Sequence, residues 1–500
     1  MSTKKQKKQV IINAILSISR VFVVGISSFI LYRVVINSLG IEKLGVWSLV
    51  LSTTSITRIS DLGFSSSVVK FVAKYRALGK KQRASDFIQT ALISIFFISG
   101  LIIILLFVLL QEILPLIVDE KEIHLTISLL PYGMLSLFVT LLAGVFQSGL
   151  DGCQRIDIRE LIQIGSSIIY LVLSLLLIQK YKLFGLAYAS IIQSLVIFIF
   201  SWIFLYSFIE EFPLFPRKWK KDVFIEMFSY GINFQIVSVV RMLYEPTTTA
   251  LMSNFGGLAI VGYYQMAKKL IRQIRSFIVS ANQTLVPFLA DIKERSPEIV
   301  QSYYKRSYSL VFYVSVPVYF SIIAMSPDIS KLWVGSYEPI FIRFSIILSI
   351  SWFLNTLNVP AYFANLGLGK LKWNTIAHLV IALLNVVFGL VFGSLFGGEG
   401  VVIAWGFSLV IGSLILIIGY HKQNKISLKT MFPNESSALF IICSTVSFFL
   451  FFLNSKISIS NYDLINLIII FILFSLLSFA PLWFHPMRRK IFKTIYSLYQ

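Results

Sequence analysis

Lys268, Arg272 and Arg275 stand at i, i+4 and i+7 of an otherwise largely apolar stretch, with Lys269 beside them. On a helix these spacings fall on one face, so the three form a single cationic stripe, and Gln265 and Gln273 extend its polar character. A charge at the bilayer centre costs about 2.5–3.5 kcal/mol on the insertion scale. Such a stripe must therefore line water, pair, or reach the membrane surface. Turned to a wet cavity it would take an anion, with Arg making two-pronged contacts to phosphate oxygens and Lys acting as a point charge.

Other basic residues pose the same problem. With those of the stripe, ten lie inside apolar stretches, among them Arg20, Arg58 and Arg241, and the acids well inside such stretches are Asp61 and Glu245. Asp61 follows Arg58 by three residues and Glu245 follows Arg241 by four, so two local ion pairs are possible, and Pro246 should interrupt the helix just after Glu245. The stretches stay strongly positive even with both pairs formed. Arg20, Arg58, Arg241, Lys268, Arg272 and Arg275 are thus the candidate anion-binding residues. Asp61 and Glu245 are the candidates for carrying a coupling ion. Arg33, Arg343 and Lys70 sit near stretch ends, where long stems reach water. His378 is a lone histidine, expected as a packed polar residue rather than a proton relay.

The elements that must position these residues follow from composition. Of 500 residues, 57% are hydrophobic and 13% charged, and the net charge is +21. Soluble domains run at about 45–50% apolar and about 25% charged, so a soluble enzyme is excluded. A bilayer core needs ~20 apolar residues of helix. Fourteen stretches qualify: 10–37, 46–73, 87–111, 125–150, 161–178, 185–208, 225–252, 259–290, 307–326, 340–366, 375–393, 400–420, 436–453 and 464–484. With both termini cytoplasmic, 28 Lys and Arg fall in inner segments and 6 in outer loops, the bias that sets orientation. The first stretch is expected as an uncleaved signal anchor. The excess charge marks topology and attraction to anionic membrane lipids. No clustered basic domain suggests nucleic acid. Two distant cysteines and four scattered histidines suggest neither a disulfide, nor a metal, nor a cofactor.

The longest outer loops, near 112–124 and 327–339, have about thirteen residues. That leaves no room for the large acidic loop of a membrane sugar polymerase or ligase. No Gly-rich phosphate loop with Lys-Ser/Thr appears either, so the chain is not expected to hydrolyse ATP.

A repeat is also visible. Gly40-Ile-Glu-Lys-Leu-Gly45-Val-Trp47 matches Gly257-Leu-Ala-Ile-Val-Gly262-Tyr-Tyr264 at an offset of 217. The same offset carries Gly152-Cys-Gln-Arg155 onto Gly369-Lys-Leu-Lys372, and Gly185-Leu-Ala-Tyr-Ala189 resembles Gly400-Val-Val-Ile-Ala404 with a two-residue slip. Parallel repeats of six spans predict two lobes around a central cleft that opens alternately to either side. The expected fold is an all-α polytopic membrane protein of about fourteen helices. Its lobes would be 1–208 and 225–420, joined by a cytoplasmic linker 209–224, followed by two added helices in 436–484 and a basic tail 485–500.

Leu39-Gly40, Gly45-Val-Trp47 and Asp61-Leu-Gly-Phe-Ser-Ser-Ser-Val-Val-Lys70, with Gly152-Cys-Gln-Arg155 and the twelve-plus-two helix count, resemble the bacterial polysaccharide-export flippases. These are the O-antigen and capsule-repeat (Wzx-type) flippases of the multidrug/oligosaccharidyl-lipid/polysaccharide exporter (MOP) superfamily. The resemblance implies a transporter, not an enzyme, of the bacterial cytoplasmic membrane. It would move an undecaprenyl-pyrophosphate-linked oligosaccharide to the outer leaflet for surface polysaccharide synthesis. A polysaccharide polymerase and a chain-length regulator would be its partners. The resemblance further implies a cleft lined by spans 1, 2, 7 and 8, where Arg20, Arg58, Lys268 and Arg272 would meet the pyrophosphate. The last two helices would guide the lipid tail. The alternatives are a multidrug/cation antiporter of the same superfamily, which needs acidic residues for organic cations, and a membrane polymerase or ligase.

Overall fold

In the computed structural model the residues described are 3–209, 211–283, 289, 299–456 and 462–489. Among them the chain is helical without a strand. The helices are α1 (Thr3–Leu39), α2 (Ile41–Thr54), α3 (Phe64–Ala77), α4 (Lys81–Ile113), α5 (Glu120–Gly152), α6 (Ile156–Tyr181), α7 (Leu183–Phe208) and α8 (Lys221–Gln283). There follow α9 (Val300–Trp333), α10 (Pro339–Thr356), α11 (Val359–Leu368), α12 (Lys372–Gln423), α13 (Asn434–Lys456), α14 (Asp463–Leu477) and α15 (Phe479–Phe484). Nine of the described helices are long and apolar enough to cross a membrane. The expected range 225–252 and the described part of 259–290 up to residue 283 both fall on α8, and 375–393 and 400–420 on α12. The expected basic tail beyond residue 489 lies outside the described residues.

Both long helices bend at a glycine, α8 at Gly257 (φ 74, ψ 176) and α12 at Gly397 (φ 65, ψ −154). A positive φ with extended ψ is open to glycine without steric cost. The helix does not break at Pro246, contrary to the expectation above. Helical dihedrals run through it, and the Thr248 hydroxyl donates to the Tyr244 carbonyl at 2.7 Å.

By compactness the chain forms two units, Met1–Gly262 and Tyr263–Gln500. In the first, Phe64, Phe71, Phe87, Phe146, Leu205 and Met227 centre one buried cluster. Lipid tails are as apolar as Leu, so helix association inside a membrane depends on close approach and hydrogen bonds. Gly149 lies against Leu205 and Gly152 against Val72, and Ser136 and Ser194 share a hydrogen bond of 2.8 Å.

The start of α8 belongs to this first unit because the segment ahead of it is strapped to α4. Gln89 Oε1 accepts the Arg217 and Lys218 N–H groups at 3.0 and 3.3 Å. The Trp219 indole donates to Ser94 Oγ at 3.0 Å. Lys220 pairs with the buried Asp86 at 2.6 Å. Arg83 pairs with Asp222 at 2.7 Å, and that hydrogen bond holds the Asp222 carboxyl below the usual carboxylate range.

In the second unit α13 and α14 are tied to α9 by buried amides. Asn454 and Asn466 donate to the two Asp328 oxygens at 2.8 and 2.6 Å, and Asn466 also donates to Asn454 Oδ1 at 2.9 Å. Cys153 and Cys443 are buried free thiols.

The two glycine turns share one backbone. Gly40 has φ 88 and ψ 165, close to Gly257. Their following helices also touch reciprocally within the first unit. A Cβ on Gly45 would run into the Leu258 carbonyl, and one on Gly262 would meet the Ile41 carbonyl oxygen at 2.7 Å. Leu258 and Ile41 are themselves 217 residues apart. The slipped pair behaves alike at its own offset of 215. Lys182 (φ 53, ψ −130) takes the place of Gly397. Gly185 abuts the Leu177 backbone and Gly400 the Phe392 backbone, each eight residues back.

Candidate anion-binding site

The second expected stretch is a broken helix, and the break positions Arg58. After α2 the chain tightens into a 3-10 turn, Ser55–Asp61, with Arg58 in its last turn. Leu62 then takes a left-handed conformation (φ 44, ψ 22) and Gly63 follows at φ 79 before α3 begins. Asp61 Oδ1 accepts the Ser65 N–H at 3.1 Å and the Ser65 hydroxyl at 2.7 Å. Ser65 lies in the first turn of α3, so the carboxylate satisfies donors that a helix start leaves open. Gly63 allows the bent segment to reach α8, since a Cβ there would meet the Gly231 Cα at 2.7 Å. The Ser67 hydroxyl donates to the Met227 carbonyl at 2.9 Å. The Asp61–Lys70 motif therefore encodes a helix break and its docking, and Arg58 stands exposed at that break. At the far end of the motif, Lys70 lies over the Tyr230 ring, 3.7 Å from its centroid.

Arg20 has a different setting. Its Nε lies 2.5 Å from Glu160 Oε2, and Glu160 is 1% exposed. Arg159 donates to the other Glu160 oxygen at 2.7 Å and also pairs with Asp151. Four charges from α1, α5 and α6 thus form one network. Arg20 was singled out in the sequence, but its partners were not: Arg159 counted among the inner-segment charges, and Glu160 and Asp151 went unremarked. The adjacent Arg159-Glu160 at a helix start was the available signal. Glu245 is half-buried in α8. The side chain of Arg241 lies outside the described residues.

In the second unit the stripe on α8 has three environments. Lys268 is 5% exposed, with its ammonium 5.4 Å from the Tyr264 ring centroid. Arg272 is exposed. Arg275 donates to Asn355 Oδ1 at 2.9 Å and lies over Trp352, 4.9 Å from the ring centroid. The amide of Asn355 donates in turn to Ser413 Oγ at 2.7 Å, and Asn358 donates to the same oxygen at 3.0 Å. Asn355, Asn358 and Ser413 were not singled out in the sequence, although two Asn three apart in an apolar stretch were a visible sign. The structure brings Lys268, Arg272 and Arg275 onto one helix and fixes Arg275 through α10 and α12. Along the row Lys268 is buried, Arg272 exposed and Arg275 half-buried, so Arg272 is the member most open to an anion.

His378 packs edge-on to Tyr362 at 6.0 Å, and Arg343 pairs with Glu399 through two bonds of 2.9 and 2.5 Å at the exposed end of α10. The 217-residue offset that joins the glycine turns also carries Arg58 onto Arg275, each eighteen residues after its turn glycine.

A family model described as polysaccharide biosynthesis protein matches residues 10–293. The chain is 21% identical over 390 residues to a candidate O-antigen transporter of Shigella flexneri, covering 76% of this chain and 90% of that protein. Its structure resembles that of the lipid II flippase MurJ in an inward closed conformation, with a TM-score of 0.69 at 16% identity over 93% of this chain and 98% of MurJ. It also resembles an inward-facing multidrug resistance MATE family transporter of the MOP superfamily, with a TM-score of 0.69 at 16% identity over 79% of this chain and 94% of the other. The chain shares the helical fold of these two transporters, and it is an all-α multi-pass membrane protein.

Proposed function

The chain belongs to the polysaccharide biosynthesis protein family, and on that premise we propose that it is a flippase for an oligosaccharide linked to undecaprenyl pyrophosphate. It carries this lipid from the inner to the outer leaflet of the bacterial cytoplasmic membrane by alternating access. It makes and breaks no covalent bond. The observation that carries the reading is the cationic row Lys268, Arg272 and Arg275 on α8. A pyrophosphate with several charged oxygens suits Arg forks and a Lys point charge. Arg58, exposed in the first unit, is a second candidate for holding an anion. The Arg20 ion pair with Glu160 suits it better to holding α1 on α6, and the role of Asp61 in capping α3 suits it better to structure than to ion coupling. Glu245 is left as the acidic residue for ion coupling. A polysaccharide polymerase receives the translocated unit.

The test is where lipid-linked repeats collect when the gene is deleted. Accumulation on the inner leaflet, relieved by the wild-type gene, is the expected result. Accumulation of single repeats on the outer leaflet would instead identify a polymerase and refute the proposal.

The MATE-like fold favours a second reading, an antiporter for organic cations. That activity calls for acids at the site, whereas the row on α8 is cationic. Raised drug resistance on overexpression, with surface polysaccharide unchanged by deletion, would select the antiporter.

A further inference from the structure

A cavity of about 910 Å³ lies in the second unit between the start of α9, the 3-10 turn Leu428–Met431 and the first residues of α13, and the described residues that line it include none of the α8 stripe. We infer that it binds the phosphate of an anionic phospholipid, a site separate from the transport pathway. Three cations line it, Lys305, Arg306 and Lys429, against one acid, Glu435. Its size lies within the range that holds a small ligand or headgroup.

The turn that carries Lys429 is fixed in advance. Tyr308, buried in the cavity wall, donates from its hydroxyl to the Met431 carbonyl at 3.1 Å. The Thr430 hydroxyl donates to the Ser427 carbonyl at 2.7 Å. Tyr304, also buried in the wall, shares a hydrogen bond of 2.7 Å with His421 Nε2. The cavity also faces the start of the 23-residue α13, the end of a helix whose dipole favours negative charge.

The rim distinguishes a lipid from a soluble phosphate. Phe432 lines the cavity yet is 61% exposed, and Leu428 beside it is also exposed. Exposed aromatic and aliphatic side chains next to Lys and Arg are the pattern of a membrane interface. Acyl chains would cover Phe432 and Leu428 while the headgroup reached the three cations. Lys305, Arg306 and Lys429 belong to the segments that hold the excess of positive charge, where basic pockets between helices recruit anionic headgroups.

The experiment is native mass spectrometry of the full chain in neutral detergent, titrated with phosphatidylglycerol or with phosphatidylcholine. The wild-type chain should retain phosphatidylglycerol preferentially. Lys305→Gln with Lys429→Gln should lower that retention about tenfold or more. Lys180→Gln with Lys182→Gln removes the same charge from the α6–α7 turn and should leave retention unchanged. The charge-conserving pair Lys305→Arg with Lys429→Arg should keep it. Equal losses in both Gln pairs, no loss in the first pair, or loss in the Arg pair would overturn the proposal. So would displacement of bound phosphatidylglycerol by inorganic pyrophosphate, which would make this a site for a soluble anion. Lipid retention is read without transport, so its failure is independent of any failure of the flippase reading.

Discussion

The two glycine turns begin alike and end differently. Gly40 and Gly257 share a positive φ and an extended ψ, and each is followed eighteen residues later by an arginine. In the first copy the helix has become a 3-10 turn before Arg58 is reached, and it breaks at Leu62 and Gly63. In the second, α8 stays helical past Arg275 to Gln283. Where the first copy has Gly63 the second has Ser280. The break is thus a local addition to a shared plan, made possible by a glycine whose backbone rests on another glycine, Gly231. One arginine is displayed at a break, while the other is held in a continuous helix by Asn355 and Trp352.

The sharpest way to break the comparison is to remove the glycine that makes it. Gly63→Ala puts a Cβ on the Gly231 backbone and a side chain at φ 79, and should destabilise the protein by about 2–4 kcal/mol. Ser280→Ala should stay within about 0.5 kcal/mol. Thermal melts in detergent compare the two, and equal melts would mean that the Gly63 contact is dispensable.

The arginines are tested next. Arg58→Gln and Arg275→Gln should each lower surface polysaccharide about tenfold or more, with protein still in the membrane. A charge-assisted hydrogen bond is worth about 1.5–3 kcal/mol. Immunoblots of membranes beside polysaccharide gels give both quantities. A silent Arg58 with a dead Arg275 would confine the anion site to the second copy.

The reciprocal contact comes third. Gly45→Ala and Gly262→Ala should each cost about 1–3 kcal/mol, and a neutral result at either one would show that the contact is one-sided. The smallest effect concerns the slipped pair. Lys182 occupies a positive φ that glycine holds in the other copy, so Lys182→Gly should add about 1 kcal/mol of stability and raise the melting point, and Gly397→Ala should lower it. A fall with Lys182→Gly would contradict the equivalence of the two hinges.

The all-α membrane fold was legible because hydropathy is a one-dimensional signal. The stretch 46–73 carries several charges for a span, and the same residues turn out to be the break: Asp61 caps α3, and Arg58 stands on the 3-10 turn. Placement of the candidate side chains was less legible. Arg20 looked like a cavity residue because Glu160, its partner, is 140 positions away and only folding joins them. Pro246 was expected to interrupt α8, yet the interruption came at Gly257. Loss of one N–H bends a helix less than a residue that takes positive φ freely. The Asn355–Ser413 hydrogen bond behind Arg275 joins α10 to α12 and leaves no local pattern stronger than two asparagines in an apolar run.

The strap along α4 has a consequence for how the chain can be assembled. Leu214 and Phe215 are exposed, while residues 217–220 are gripped by Gln89, Thr90, Ser94 and Asp86. Continuity of the peptide between 213 and 216 is therefore not what holds α8 in register. Two separately encoded fragments divided there would present matched surfaces to one another, and co-expression should reconstitute the protein by fragment complementation.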